Sequence, residues 1–136
     1  MAADRDGSAD RVTVLLDTNA LMLPVQFGID IFSELERILG QYQPVVLRGT
    51  LEELERIAQG TGDNAVAARV GRTLAERCHM EGDKEERGDV DTAIIRFAER
   101  NQCAVVTNDL ALKKILQEKG IRVISMRKLK RLDGGW

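Results

Sequence analysis

Four carboxylates stand where this chain could do chemistry. Asp17 ends the apolar run Val12-Thr13-Val14-Leu15-Leu16, and Asp109 follows a second such run, Ala104-Val105-Val106-Thr107-Asn108. Thr and Asn accompany both, as Asp17-Thr18-Asn19 and Thr107-Asn108-Asp109. Glu53 and Asp91 fall in the first turns of expected helices, with Glu52 and Asp89 as neighbouring acids that could take the same roles. Carboxylates at close range repel and raise one another's pKa unless something positive sits among them. An all-oxygen cluster suits a hard divalent cation, Mg2+ or Mn2+. One or two such ions could activate water and orient a phosphoester. Each acid also has a plainer reading: Asp17, Asp91 and Asp109 suit helix N-termini, and Glu53 completes the capping-box pattern Thr50-x-x-Glu53.

The elements that position these acids alternate between strand and helix. A continuously apolar run, unlike an alternating one, marks a strand buried on both faces, as in a parallel sheet covered by helices. Pro24 and Gly28 are expected to break the chain after the first strand. Asp30 is placed to cap a helix carrying Ile31, Phe32, Leu35, Ile38 and Leu39, closed at Gly40. Val45-Val46-Leu47 reads as a second strand ended by Arg48 and Gly49. A helix from Thr50 follows, then one capped by Asp63 or Asn64 with Ala65, Ala68, Val70, Leu74, Ala75 and Cys78 on its packing faces. After the irregular Gly82–Val90 stretch, Asp89 caps a helix to about Arg100. Val105 and Val106 form a strand, Leu110 to Leu116 a short helix, and Val123-Ile124 a last strand. This order defines an α/β fold, a three-layer α/β/α arrangement around a central parallel sheet. In such sheets the ligand crevice lies beyond the carboxyl ends of the strands at the switch point, where Asp17 and Asp109 are expected to meet.

Size and composition bound the reading. The chain has 136 residues, 43% of them hydrophobic, enough for one core. Residues 1–10 are expected to be a mobile polar leader, 11–126 the domain, and 127–136 a basic tail. With 20 Lys and Arg against 22 Asp and Glu, no overall positive field draws in a polyanion. A nucleic acid must instead meet local cations: Arg48 after the second strand, and Arg127, Lys128, Lys130 and Arg131 in the tail. Two cysteines in separate segments form no disulfide framework and suit a reducing, cytoplasmic setting. No run is long enough to span a membrane.

Several chemistries are excluded. There is no Gly-rich loop ending in Lys-Ser/Thr. His79, the one histidine, cannot complete a zinc site with Cys78 and Cys103. Asn19 stands where a dehalogenase-like phosphatase wants a second aspartate, and Lys128 comes too late for a receiver domain.

Four segments together resemble the PIN-domain nucleases: Leu15-Leu16-Asp17-Thr18-Asn19-Ala20-Leu21, Leu51-Glu52-Glu53-Leu54, Gly88-Asp89-Val90-Asp91-Thr92-Ala93-Ile94, and Val105-Val106-Thr107-Asn108-Asp109. The likeness runs from Val12 to Ser125. Within the family the chain is most similar to small standalone archaeal members akin to the small-subunit processome nuclease, because Asp17 to Phe27 continues that pattern. Toxin ribonucleases of the VapC type share the acids. The resemblance implies a metal-dependent endoribonuclease, a hydrolase leaving 5'-phosphate and 3'-hydroxyl ends, active on a ribosomal precursor RNA in the first subgroup. It implies Asp17, Glu53, Asp91 and Asp109 as catalytic, metal-binding residues holding Mg2+ or Mn2+, with Asn19 and Thr107 in support. Glu53 is preferred to Glu52 because the family's acid directly precedes Leu, and Asp91 to Asp89 because Ala93 and Ile94 follow. The resemblance also implies RNA as partner, homodimer formation as in many relatives, and a cytoplasmic protein without a membrane association. A PIN-like module that binds RNA or protein without cutting is the non-enzymatic alternative.

Overall fold

The computed structural model describes residues 11–82, 89–126 and 132–135. The leader and the four tail cations Arg127, Lys128, Lys130 and Arg131 lie outside them. The first strand, β1 (Val12–Leu16), leads into α1 (Thr18–Phe27) and α2 (Ile31–Leu39). Then come β2 (Tyr42–Leu47), α3 (Arg48–Ala58), α4 (Asp63–Ala75) and the short β3 (His79–Glu81). The chain continues through α5 (Val90–Asn101), β4 (Ala104–Val106), α6 (Leu110–Glu118), β5 (Val123–Met126) and β6 (Leu132–Asp133).

These strands form one six-stranded sheet in the order β3-β2-β1-β4-β5-β6. All its pairings are parallel except β5 with β6, which is antiparallel. Successive residues of the central strands feed opposite cores, which is why their apolar runs are unbroken. Val14 and Leu16 join one core with α1 to α4, whereas Leu15 joins the other with α5 and α6. The same alternation recurs at Val106 against Val105, and at Ile124 against Val123. The three-layer α/β/α fold with a central parallel sheet is therefore the one expected from the run-and-helix pattern. From β1 the chain steps outward to β2 and β3 on one side and later to β4 and β5 on the other. The crevice at that reversal lies between the carboxyl ends of β1 and β4.

Several local expectations fail for identifiable reasons. Pro24 does not break the chain: it lies inside α1, which ends only at Gly28, a left-handed cap with φ 65°. A mid-helix proline costs ~3 kcal/mol, but Ala20, Leu21 and Leu23 are sealed from solvent within the helical core, and their burial outweighs it. Arg48 and Gly49 do not merely end β2: they are the first residues of α3, whose N-cap is Leu47 with no side-chain bond. Thr50 is thus inside the helix, its hydroxyl buried with no partner among the described residues, and the capping box does not form. Gly62, not Asp63 or Asn64, is the N-cap of α4. His79 is exposed and belongs to an edge strand, with Nε2 2.6 Å from Glu81 Oε2.

α1 and α4 approach closely because α4 presents small residues to α1. A Cβ added at Gly71 would lie 2.7 Å from the Leu21 carbonyl oxygen. That contact sets how closely α1 and α4 can approach at Leu21.

Candidate active site

Each acid reaches the crevice from a different element. Asp17 follows β1 directly, and its N–H donates to the Val106 carbonyl at 3.3 Å, continuing the ladder beyond the strand's end. Its Oδ1 accepts from the Ala20 N–H at 2.7 Å, so Asp17 is also the N-cap of α1. Asp109 repeats the arrangement, accepting from the Leu112 N–H at 3.1 Å at the start of α6. Capping and chemistry do not exclude each other, because a carboxylate has two oxygens and each cap uses Oδ1.

Thr107 ties these two acids together. It is fully buried, its hydroxyl oxygen accepts from the Asp109 N–H at 3.0 Å, and its hydroxyl hydrogen-bonds the Asp17 side chain. Asn108 turns away, accepting from the Met126 N–H at 2.7 Å.

Glu53 projects from α3 and receives a hydrogen bond from the Thr18 hydroxyl, not from the backbone of Thr50. Asp89 is used up as the N-cap of α5, accepting from the Thr92 N–H at 2.7 Å, and these bonds hold its carboxyl below the usual range. Asp91, two residues further on and the second residue of α5, is free of that duty and lines the crevice.

The result is a cleft of about 390 Å³ whose lining includes Asp17, Glu53, Asp91, Asp109 and Asn19. Glu52 is exposed and, like Asp89, is not part of the lining. Thr107 lies behind the cleft wall. Arg48 does not line the cleft; it sits just past the end of β2, its Nε buried without a hydrogen-bond partner among the described residues. The lining also includes Thr18, Met22, Gln26, Ile57 and Asn64. Among these, Thr18 was visible only as a member of the Asp17 motif. Asn64 read only as a possible cap and Gln26 only as part of the Asp17 to Phe27 stretch; their pairing had no signal, since only the packing of α1 on α4 brings them together.

The electrostatics are those of a cluster of acids brought close together and partly withdrawn from water. Asp17 is 5% exposed, and burial pushes its carboxyl from 3.8 up to about 7. Bonds from Thr107 and Ala20 work against that rise, while the charges of Asp91 and Asp109 add to it. Asp91 is raised by desolvation first, then by Asp109, Asp89 and Glu53. Among the described residues no three His, Cys, Asp or Glu side chains already converge as metal ligands. The four acids therefore share a cleft without forming a closed coordination shell. In donor chemistry they fit a hard divalent cation: every acidic group is an oxygen donor, and the most buried one has its charged form disfavoured first by burial and then by the neighbouring acids.

A parallel three-layer sheet with acids from four elements at its switch point defines the class, and comparison with known proteins agrees. The PIN-like domain family model matches residues 14–129, which include all four acids. The chain belongs to that family of nucleases. It is similar to ribonuclease VapC9 of Archaeoglobus fulgidus, 31% identical over 133 residues, covering 97% of this chain and 96% of the relative. Among solved structures it is similar to the PIN-domain endonuclease Utp24, with TM-score 0.72 and 25% identity over 90% of this chain and 91% of the other. The VapBC-1 structure from nontypeable Haemophilus influenzae shares the fold, with TM-score 0.59 and 18% identity over 82% of this chain and 96% of that one. Among the described residues no helix is long and apolar enough to cross a membrane.

Proposed function

We propose that this chain is a divalent-metal-dependent endoribonuclease of the cytoplasm, hydrolysing phosphodiester bonds in ribosomal RNA processing. The observation carrying this reading is the convergence of Asp17, Glu53, Asp91 and Asp109 on one cleft at the switch point of the sheet. These four are the proposed catalytic residues and would hold one or two Mg2+ or Mn2+ ions. Held by these carboxylates, such an ion would supply Lewis-acid activation of water and charge stabilisation for the phosphate. The chain's own residues prepare the site. Asp17 and Asp109 are fixed in direction by their caps, Thr107 braces both, and Thr18 restrains Glu53. Asn19 offers a polar amide at the cleft wall. Arg48 and the tail residues Arg127, Lys128, Lys130 and Arg131 are the proposed contacts to the RNA backbone. No side chain here needs to act as a nucleophile.

A second reading is favoured by the near full-length likeness to VapC9: a toxin ribonuclease restrained by a small protein partner. The two readings differ in what the cell shows. A processing enzyme, when depleted, leaves precursor rRNA uncut; a toxin, when expressed alone, arrests growth until a partner is supplied. The shared chemistry is tested in vitro by incubating RNA with the protein and its Asp17→Asn variant in Mg2+ or Mn2+. Cleavage by the parent and its loss in the variant is expected. A variant that cuts like the parent overturns the assignment.

A further inference from the structure

We infer that Gln26 and Asn64 form a subsite that reads an unpaired nucleobase next to the cut; the inference rests on the nuclease reading above. The cleft does not end at the acids. Asn19, Met22 and Gln26 line it from one face of α1, at the spacing of three and four residues that aligns side chains along a helix. From Asn19 to Gln26 the helix rises ~10 Å, so the far end stands well clear of Asp17. There Gln26 Nε2 lies 3.5 Å from Asn64 Oδ1, a long and weak contact between two exposed amides. It engages one N–H of Gln26 and the carbonyl of Asn64. The Gln26 carbonyl and the Asn64 NH2 are the remaining acceptor and donor of the pair.

The character of this end selects the guest. The two groups at the rim are neutral amides and no Lys or Arg is among the described residues lining the cleft, so nothing at this end pairs with a phosphate. A base is uncharged, presents donors and acceptors along one edge, and is matched by the amides of Asn and Gln. Met22 and Ile57 supply an apolar wall for its flat face, with the methionine sulfur suited to an aromatic ring. The base must be unpaired, because pairing occupies the edge being read.

The test uses the full chain in Mn2+ and single-stranded oligoribonucleotides with one cleavable junction. Each of the four bases is placed in turn at the two positions on either side of it. The parent is expected to show, at one position, a kcat/KM ratio of about tenfold or more between best and worst base, the scale of one well-made amide pair. In the Gln26→Ala, Asn64→Ala double variant that ratio should fall towards unity. Asn64→Asp, nearly isosteric, keeps an acceptor and loses the donors, and should also lower the ratio or change the preferred base. A parent without preference, or a preference that survives both changes, overturns the inference. Asp17→Asn is measured alongside. If it is inactive while base preference ignores Gln26 and Asn64, only the subsite is wrong; if it cuts like the parent, the nuclease site itself is wrong.

Discussion

Thr18 donates its hydroxyl hydrogen to Oε1 of Glu53, joining the first turn of α1 to α3 across 35 positions of sequence. The bond holds the Glu53 carboxylate on the cleft side of its helix, while Glu52, one position earlier, is exposed. Glu53→Gln should therefore abolish most RNA cleavage, whereas Glu52→Gln leaves it close to the parent. Thr18→Val, which removes only the restraint, should cost about 10-fold to 100-fold in rate or metal affinity. Initial cleavage rates over a Mn2+ titration separate the three variants.

Asp17 makes stability depend on pH and on metal in a definite sense. Below pH 3.8 its carboxyl is protonated both folded and unfolded, and it has no effect. As pH rises from 3.8 to about 7, the unfolded chain ionises there while the fold still holds the proton, so the metal-free protein loses stability. Each pH unit in that window costs up to ~1.4 kcal/mol at this one group. Above about 7 the loss is complete. A cation bound to the ionised cluster counters it by mass action. Melting curves with Mn2+ and with a chelator should diverge more at pH 8 than at pH 5, and Asp17→Asn should flatten the pH dependence of the chelated protein. Identical curves with and without metal at pH 8 would sink the metal assignment.

Thr107 serves both strand-end acids from a fully buried position, and its removal has two separable effects. Thr107→Val leaves the Asp109 N–H without its acceptor and strips a donor from Asp17. Stability should fall by ~1 to 3 kcal/mol, as for a lost buried hydrogen bond, and the Asp17 carboxyl should rise still further. Thr107→Ser keeps the hydroxyl and should restore the pH profile of cleavage. Urea unfolding and a pH-rate profile of the two variants provide the measurement.

Gly71 sets the separation of α1 and α4. In an exposed helix Gly→Ala gains up to ~1 kcal/mol, but here the new methyl would meet the Leu21 carbonyl at 2.7 Å, a backbone atom that cannot swing aside. Gly71→Ala should thus destabilise by ~1 to 3 kcal/mol, the usual range for overpacking. Chemical denaturation decides the sign; a stabilised variant would show that the two helices can move apart.

Much of this was legible in the residues because it depends on local periodicity or on topology. Unbroken apolar runs implied strands covered on both faces, and their alternation with helices implied a parallel sheet. From that it follows that Asp17 and Asp109 face one edge, whatever the side chains between them do. Asp30 and Asp89 read correctly as caps, since a cap is a contact within one helical turn. Where the reading failed, distant packing had overruled local preference. Pro24 is tolerated because the helix around it is clamped in the core, and Thr50-x-x-Glu53 loses its capping role because α3 starts at Arg48.

What the amino-acid order determined by itself is the fold class, the family and the end of the sheet where the acids gather, each encoded in runs a few residues long. Only the tertiary structure decided that Glu53 is restrained by Thr18, that Asp91 and not Asp89 faces the cleft, and that Gln26 meets Asn64. Those outcomes depend on how helices remote in sequence pack against one another, and close packing is a property of pairs of surfaces, which no single segment contains.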